Sequence, residues 1–127
     1  MNKISIMIVD DEPIVGKRLK RLFEKDGYAV EIFTRGSLAL KELENKKFDI
    51  IITDVKMGKV DGIQILDTAK KKYPDTKIII ISGLSKNELV LDAINKGAFS
   101  FIVKPFKFNE LKEVVCRAHR ELHKLGR

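Results

Sequence analysis

Phe48-Asp49-Ile50-Ile51-Ile52-Thr53-Asp54, residues 48 to 54, is a β-branched apolar run that stops on a carboxylate. It lacks the strict alternation of a half-solvated strand and so reads as one covered on both faces, with the strand over Phe48 to Thr53. Ile4 to Val9, Tyr28 to Phe33, Lys77 to Ile81 and Phe99 to Val103 have the same character. Between these runs the apolar period changes to that of a helix. Val15, Leu19, Leu22 and Phe23 follow Pro13, whose missing N–H suits a first helical turn. Leu38, Leu40 and Leu43 mark a weaker second helix, and Ile63, Leu66 and Ala69 a third that Tyr73-Pro74 stops. Leu89, Val90, Ala93 and Ile94 mark a fourth before Gly97, and Leu111, Val114, Val115, Ala118 and Leu122 a fifth. Parallel strands need a crossover each time, so this alternation predicts a doubly wound α/β fold: a five-stranded parallel sheet with five helices on its two faces.

The 127 residues suffice for one domain, 1–127 with a core over about 4–122, and are too few for two separate cores. At 44% hydrophobic and 34% charged residues, the composition is that of a chain that buries a core rather than a disordered or disulfide-stapled one. The longest apolar runs, Ile6 to Val9 and Ile78 to Ile81, fall far short of the roughly 20 residues of a membrane span. No secretory signal is readable at the start, and Cys116, the single cysteine, cannot form an internal bridge. A cytoplasmic setting is therefore expected. The net charge of +7 invites a nucleic-acid reading, but its clusters (Lys17 to Lys25, Lys70 to Lys72, and residues 112 to 127) fall on separate predicted helices. Each reads first as a solvated helix face.

In doubly wound sheets ligands sit beyond the carboxyl ends of the strands. There this chain places Asp10, Asp11 and Glu12 after strand one, Asp54 after strand three, Ser82 after strand four and Lys104-Pro105 after strand five. Taken singly, each of these is an ordinary turn or cap residue. Together they are not. Crowded carboxylates repel one another unless a cation sits among them, and an all-oxygen donor set with few ligands suits Mg²⁺. A lysine and a hydroxyl converging on the same cleft match the oxygens of a phosphoryl group, leaving one carboxylate to act as nucleophile.

These residues carry a resemblance to the receiver domains of two-component response regulators, over the chain from Ile4 to about Leu122. The matching pieces are Asp10-Asp11, Asp54 within Asp54-Val55-Lys56-Met57-Gly58-Lys59-Val60-Asp61-Gly62, Ser82, Gly97-Ala98, Phe101 and Lys104-Pro105-Phe106. The resemblance implies a flavodoxin-like (βα)5 fold with strand order 2-1-3-4-5 and a cis Lys104-Pro105 bond. It implies that Asp54 accepts a phosphoryl group from a sensor histidine kinase or phosphotransfer protein. Asp11 and Asp54 would coordinate Mg²⁺ directly, Asp10 through water and Lys56 through its backbone carbonyl. Lys104 would neutralise the acyl phosphate, Ser82 would swing to a phosphoryl oxygen, and Phe101 would move inward to remodel the surface of helix four, strand five and helix five. Such a protein is not an enzyme toward other substrates and catalyses only its own phosphorylation and dephosphorylation. Its partners would be the kinase and a downstream protein or an effector domain outside this chain. A phosphorylation-dependent homodimer is also compatible, with neither membrane nor direct nucleic-acid binding expected.

The chain departs from the family pattern at Met57-Gly58, where Met-Pro is usual, and at Gly83, where Ala is common. Both changes loosen loops and predict faster exchange there. Lys56 and Leu84 occupy positions that tune acyl-phosphate lifetime in the family. Three other readings fare worse. An aspartyl-nucleophile phosphatase needs a general acid two residues after Asp54, where Lys56 stands. A stand-alone nucleic-acid or protein-binding module of the same fold rests on charge alone. A transition-metal site of Cys116, His119 and His123 on helix five lacks an identifiable fourth ligand, which leaves a solvated flank with a partly exposed thiol.

Overall fold

The computed structural model describes residues 3–55, 62–83 and 88–126, with the backbone alone described at 88–90. Strands β1 (Ser5–Val9), β2 (Ala29–Phe33), β3 (Ile50–Asp54), β4 (Lys77–Ser82) and β5 (Ser100–Val103) alternate with helices α1 (Pro13–Lys25), α2 (Gly36–Leu43), α3 (Gly62–Lys72), α4 (Glu88–Asn95) and α5 (Phe108–Lys124). All strand pairings are parallel, in the order β2-β1-β3-β4-β5. The five βα units and their order are those expected.

Alternate side chains of each strand enter different cores. Ile6, Ile8, Ile50, Ile52, Ile79 and Ile81 face α1 and α5, whose Leu19, Phe23, Leu111, Val115 and Leu122 close that layer. Met7, Val9, Ile51, Ile78 and Ile80 face the other way, against Leu43 of α2, Leu66 of α3 and Ala93 of α4. The central strands are isoleucine-rich because both faces are covered and β-branched side chains pack well on a pleated surface.

The helical stripes hold best where they are longest. In α5 all five expected residues are buried. In α2 the buried residues are Gly36, Ala39 and Leu43, while Leu38 stays exposed, so the leucine stripe misplaces that helix's inner face. The inner stripe runs through Gly36, Ala39 and Leu43, three and four residues apart as a helical face requires, which turns Leu38 outward. In α4 the expected Ile94 is exposed and Ala93 is buried, and the side chains of Leu89 and Val90 lie outside the described residues. Pro13 does open α1, and Gly27 follows it at φ 94°, a left-handed turn that glycine takes without steric cost. Strand ends differ as well. Asp54 and Ser82 close β3 and β4 rather than following them, since Asp54 pairs with Ile81 and Ser82 with Val103.

Candidate functional site

The acidic corner is built by the turn after β1. Asp10 continues the ladder by donating its N–H to Phe33 O at 3.0 Å, which draws its side chain inside, where it is 4% exposed. Its Oδ1 accepts the Glu12 N–H at 2.8 Å. That bond folds the chain back toward Pro13 and leaves Asp11 and Glu12 exposed. Carboxylate oxygens of Asp10, Asp11 and Glu12 all lie within 4.8 Å of one another. Burial pushes the Asp10 carboxyl above the usual aspartate range, and the charges of Asp54 and Asp11 push the same way. The Glu12 N–H and the Lys104 ammonium oppose the shift without cancelling it.

Across this corner Lys104 Nζ donates to Asp54 Oδ2 at 2.6 Å, with the aspartate side chain 13% exposed and the lysine 32%. Burial works against the Lys104 charge, but the hydrogen bond and charge of Asp54, followed by Asp10 and Glu12, hold its pKa above the ordinary lysine value. The Lys104–Pro105 peptide is cis, as the resemblance implies. Ser82 is buried at the end of β4 and its carbonyl accepts the Lys104 N–H at 2.8 Å, so the ends of β4 and β5 are tied together. Phe101 sits in β5 opposite Ile80 and is 36% exposed, directed outward.

Asp10, Asp11, Asp54 and Lys104 are thus brought to one edge, joined by Ser82. Lys56, expected to offer a backbone carbonyl, lies outside the described residues together with Met57, Gly58, Asp61 and Leu84. Beside the site runs a groove of about 800 Å³ between α1 and the start of α5, floored by Val15, Leu22 and Phe106. Ile14 stands exposed on its lip, and Lys104 and Glu12 belong to groove and site alike. Cys116, His119 and His123 line a separate surface pocket of about 520 Å³. Their donor atoms do not converge: among the described residues the acidic trio is the only such group of three. His119 is half-buried rather than simply solvated, with Nδ1 3.2 Å from the Tyr28 hydroxyl. Burial, then the neighbouring Cys116 and Asp26, push the Tyr28 hydroxyl up to about 12. Two further residues at the site carry little sequence signal. Thr53 sits anonymously in an apolar run, and Gly62 shows only as the glycine of an Asp-Gly pair before a helical stripe.

The family model for the response regulator receiver domain matches residues 6–116. The chain is 32% identical over 124 residues to the transcriptional regulatory protein ZraR of Salmonella typhimurium, covering 98% of this chain and 28% of that protein. It is 32% identical over 115 residues to the nitrogen assimilation regulatory protein NtrX of Azorhizobium caulinodans, covering 89% of this chain and 25% of that one. The chain therefore spans little more than a quarter of the length of these relatives. Among solved structures, the CheY-like response regulator receiver domain protein of Methanospirillum hungatei is 30% identical with a TM-score of 0.92, covering 97% of this chain and 98% of that one. The receiver domain protein of Clostridium thermocellum is 31% identical with a TM-score of 0.87, covering 95% and 98%. No helix among the described residues is long and apolar enough to cross a membrane.

Proposed function

This chain belongs to the response regulator receiver domain family, and from that premise we propose that Asp54 accepts a phosphoryl group from a phosphohistidine of a sensor kinase or phosphotransfer protein. The observation that carries the reading is the 2.6 Å contact of Lys104 Nζ with Asp54 Oδ2, set beside the carboxylates of Asp10 and Asp11. In the transfer, an Asp54 carboxylate oxygen forms a bond to phosphorus as the phosphorus–nitrogen bond to the donor histidine breaks, and the imidazole leaves with the electron pair. The Lys104 ammonium is placed to hold the oxygens that gain charge as the acyl phosphate forms. Hydrolysis returns the carboxylate when a water oxygen forms a bond to phosphorus, the bond from phosphorus to the Asp54 oxygen breaks, and phosphate leaves. On this reading the protein catalyses only its own phosphorylation and dephosphorylation.

The acidic corner fits a magnesium ion. It offers oxygen donors only, within one ion's reach of each other, and the Asp10 carboxyl, raised first by burial and then by the charges of Asp54 and Asp11, is one that a divalent cation would favour in its ionised form. Asp11 and Asp54 would hold the ion directly, Asp10 through water, with the Lys56 carbonyl as a further ligand. When bound, it supplies charge neutralisation for the incoming phosphoryl oxygens.

Ser82 hydrogen-bonding a phosphoryl oxygen would change what fills the space beneath β5, allowing the outward Phe101 to turn in. The surface of α4, β5 and α5 would then act on a downstream protein or on an effector domain, in the cytoplasm. Intact-mass measurement after incubation with acetyl phosphate and Mg²⁺ tests the assignment. One phosphoryl group is expected on the natural chain and none on Asp54→Ala. Equal incorporation in both would move the acceptor elsewhere.

A further inference from the structure

Resting on the reading of Asp54 as acceptor, we infer that Gly62 and Thr53 are positioning residues that clamp the Asp54–Val55 backbone and so aim the Asp54 carboxylate. The Thr53 Oγ1 donates to Asp54 O at 3.0 Å. The Val55 N–H donates to Ile81 O at 3.0 Å, and Val55 O accepts the Gly62 N–H at 3.0 Å. Gly62, the first residue of α3, comes so close that a Cβ there would overlap Asp54 O and stand 3.1 Å from Val55 Cα and 3.2 Å from the Asp54 carbonyl carbon. These obstacles are backbone, which cannot rotate aside as a side chain can. The first turn of α3 therefore acts as a stop against which the acceptor's own peptide is seated.

The clamp reaches the chemistry through one residue. Asp54 has its carbonyl held on one side of Cα and its carboxylate on Lys104 on the other, so displacing the carbonyl re-aims the carboxylate. A site of this kind tolerates little movement, since a misplacement of about 1 Å can cost about a hundredfold in rate. Gly16 provides the contrast. A Cβ there would meet only Ile32 side-chain atoms at 3.6 Å or beyond, an ordinary contact in α1.

The test compares Gly62→Ala with Gly16→Ala, and Thr53→Val with Thr53→Ser. Each variant is checked for a cooperative melt, titrated with Mg²⁺ by amide NMR, and assayed for initial phosphorylation by acetyl phosphate per folded molecule. Folded Gly62→Ala is expected to lose about tenfold or more in both Mg²⁺ affinity and phosphorylation rate, and Thr53→Val a smaller but measurable share of each. Gly16→Ala and the hydroxyl-retaining Thr53→Ser should stay within about twofold of the natural chain on the same scale. A folded Gly62→Ala with natural Mg²⁺ affinity and rate overturns the clamp. Should Gly62→Ala not fold, indistinguishable Thr53→Val and Thr53→Ser proteins overturn it instead. A natural chain that takes no phosphoryl group defeats the reading of Asp54, and the Mg²⁺ titrations still decide the clamp.

Discussion

The two ends of the sheet each bury an aspartate and treat it in opposite ways. At the amino edge, Asp49 is 2% exposed and its Oδ2 accepts both the Ser5 N–H at 2.9 Å and the Ser5 hydroxyl at 3.2 Å, while its own N–H donates to Ser5 Oγ. Around it Thr76 Oγ1 donates to Phe48 O at 2.6 Å and the Tyr73 hydroxyl to Leu43 O at 2.7 Å. At the carboxyl edge, Asp10 is 4% exposed, accepts the Glu12 N–H and faces the charges of Asp11 and Asp54. Asp49 Oδ2 meets two donors of one residue, Ser5, whereas Asp10 is desolvated among charges of both signs, the Lys104 ammonium on one side of the balance and the Asp54 and Asp11 carboxylates on the other. Burial alone does not tell a structural carboxylate from a functional one; a cluster of ionisable neighbours around it does.

The largest effect should come from Asp49→Ala. It strips the hydrogen bonds that Oδ2 accepts from Ser5 and leaves the Ser5 N–H without that acceptor, costing about 3 kcal/mol in urea unfolding. Next, Thr76→Val should cost about 1 to 2 kcal/mol in the same measurement, because the buried Phe48 carbonyl loses its side-chain donor. The smallest effect carries the opposite sign. Asp10→Asn keeps an acceptor for the Glu12 N–H while removing a charge that burial disfavours, and should stabilise the protein by about 1 kcal/mol near neutral pH.

That gain should depend on pH. The folded Asp10 carboxyl titrates above its unfolded value, so between the two the folded state holds more protons than the unfolded one. The natural chain therefore loses stability as pH rises through this window, and Asp10→Asn does not. The difference between them should vanish in acid, grow through the window and level off above the folded Asp10 pKa. Urea titrations at a series of pH values would show this. Destabilisation by Asp10→Asn at neutral pH would break the contrast between the two ends.

Sequence patterning identified the sheet because isoleucine runs covered on both faces have few other uses. It also placed Asp10, Asp11, Asp54, Ser82 and Lys104 at one edge, since the architecture sends all strand ends there. Two kinds of feature were illegible. The inward face of α2 runs through Gly36 and Ala39 to Leu43 and leaves the more apolar Leu38 outside, a choice that hydropathy does not encode. The roles of Asp49, Thr53, Thr76 and Gly62 depend on partners far away in the chain or on a backbone approach visible only once α3 is seated against β3. Asp49 in particular lies within the run that reveals the strand, yet nothing local distinguishes it from a solvated residue.

The isoleucines that make the sheet legible also leave its alignment ambiguous. Sliding β3 or β4 by one residue would exchange Ile51 with Ile52, or Ile79 with Ile80, between the two cores at small hydrophobic cost. What forbids the slip is polar: Asp49 must find Ser5 and Thr76 must find the Phe48 carbonyl. The amino edge thus works as a measuring mark, and an error of one notch there would arrive at the far end as Asp54 facing the wrong side of the sheet.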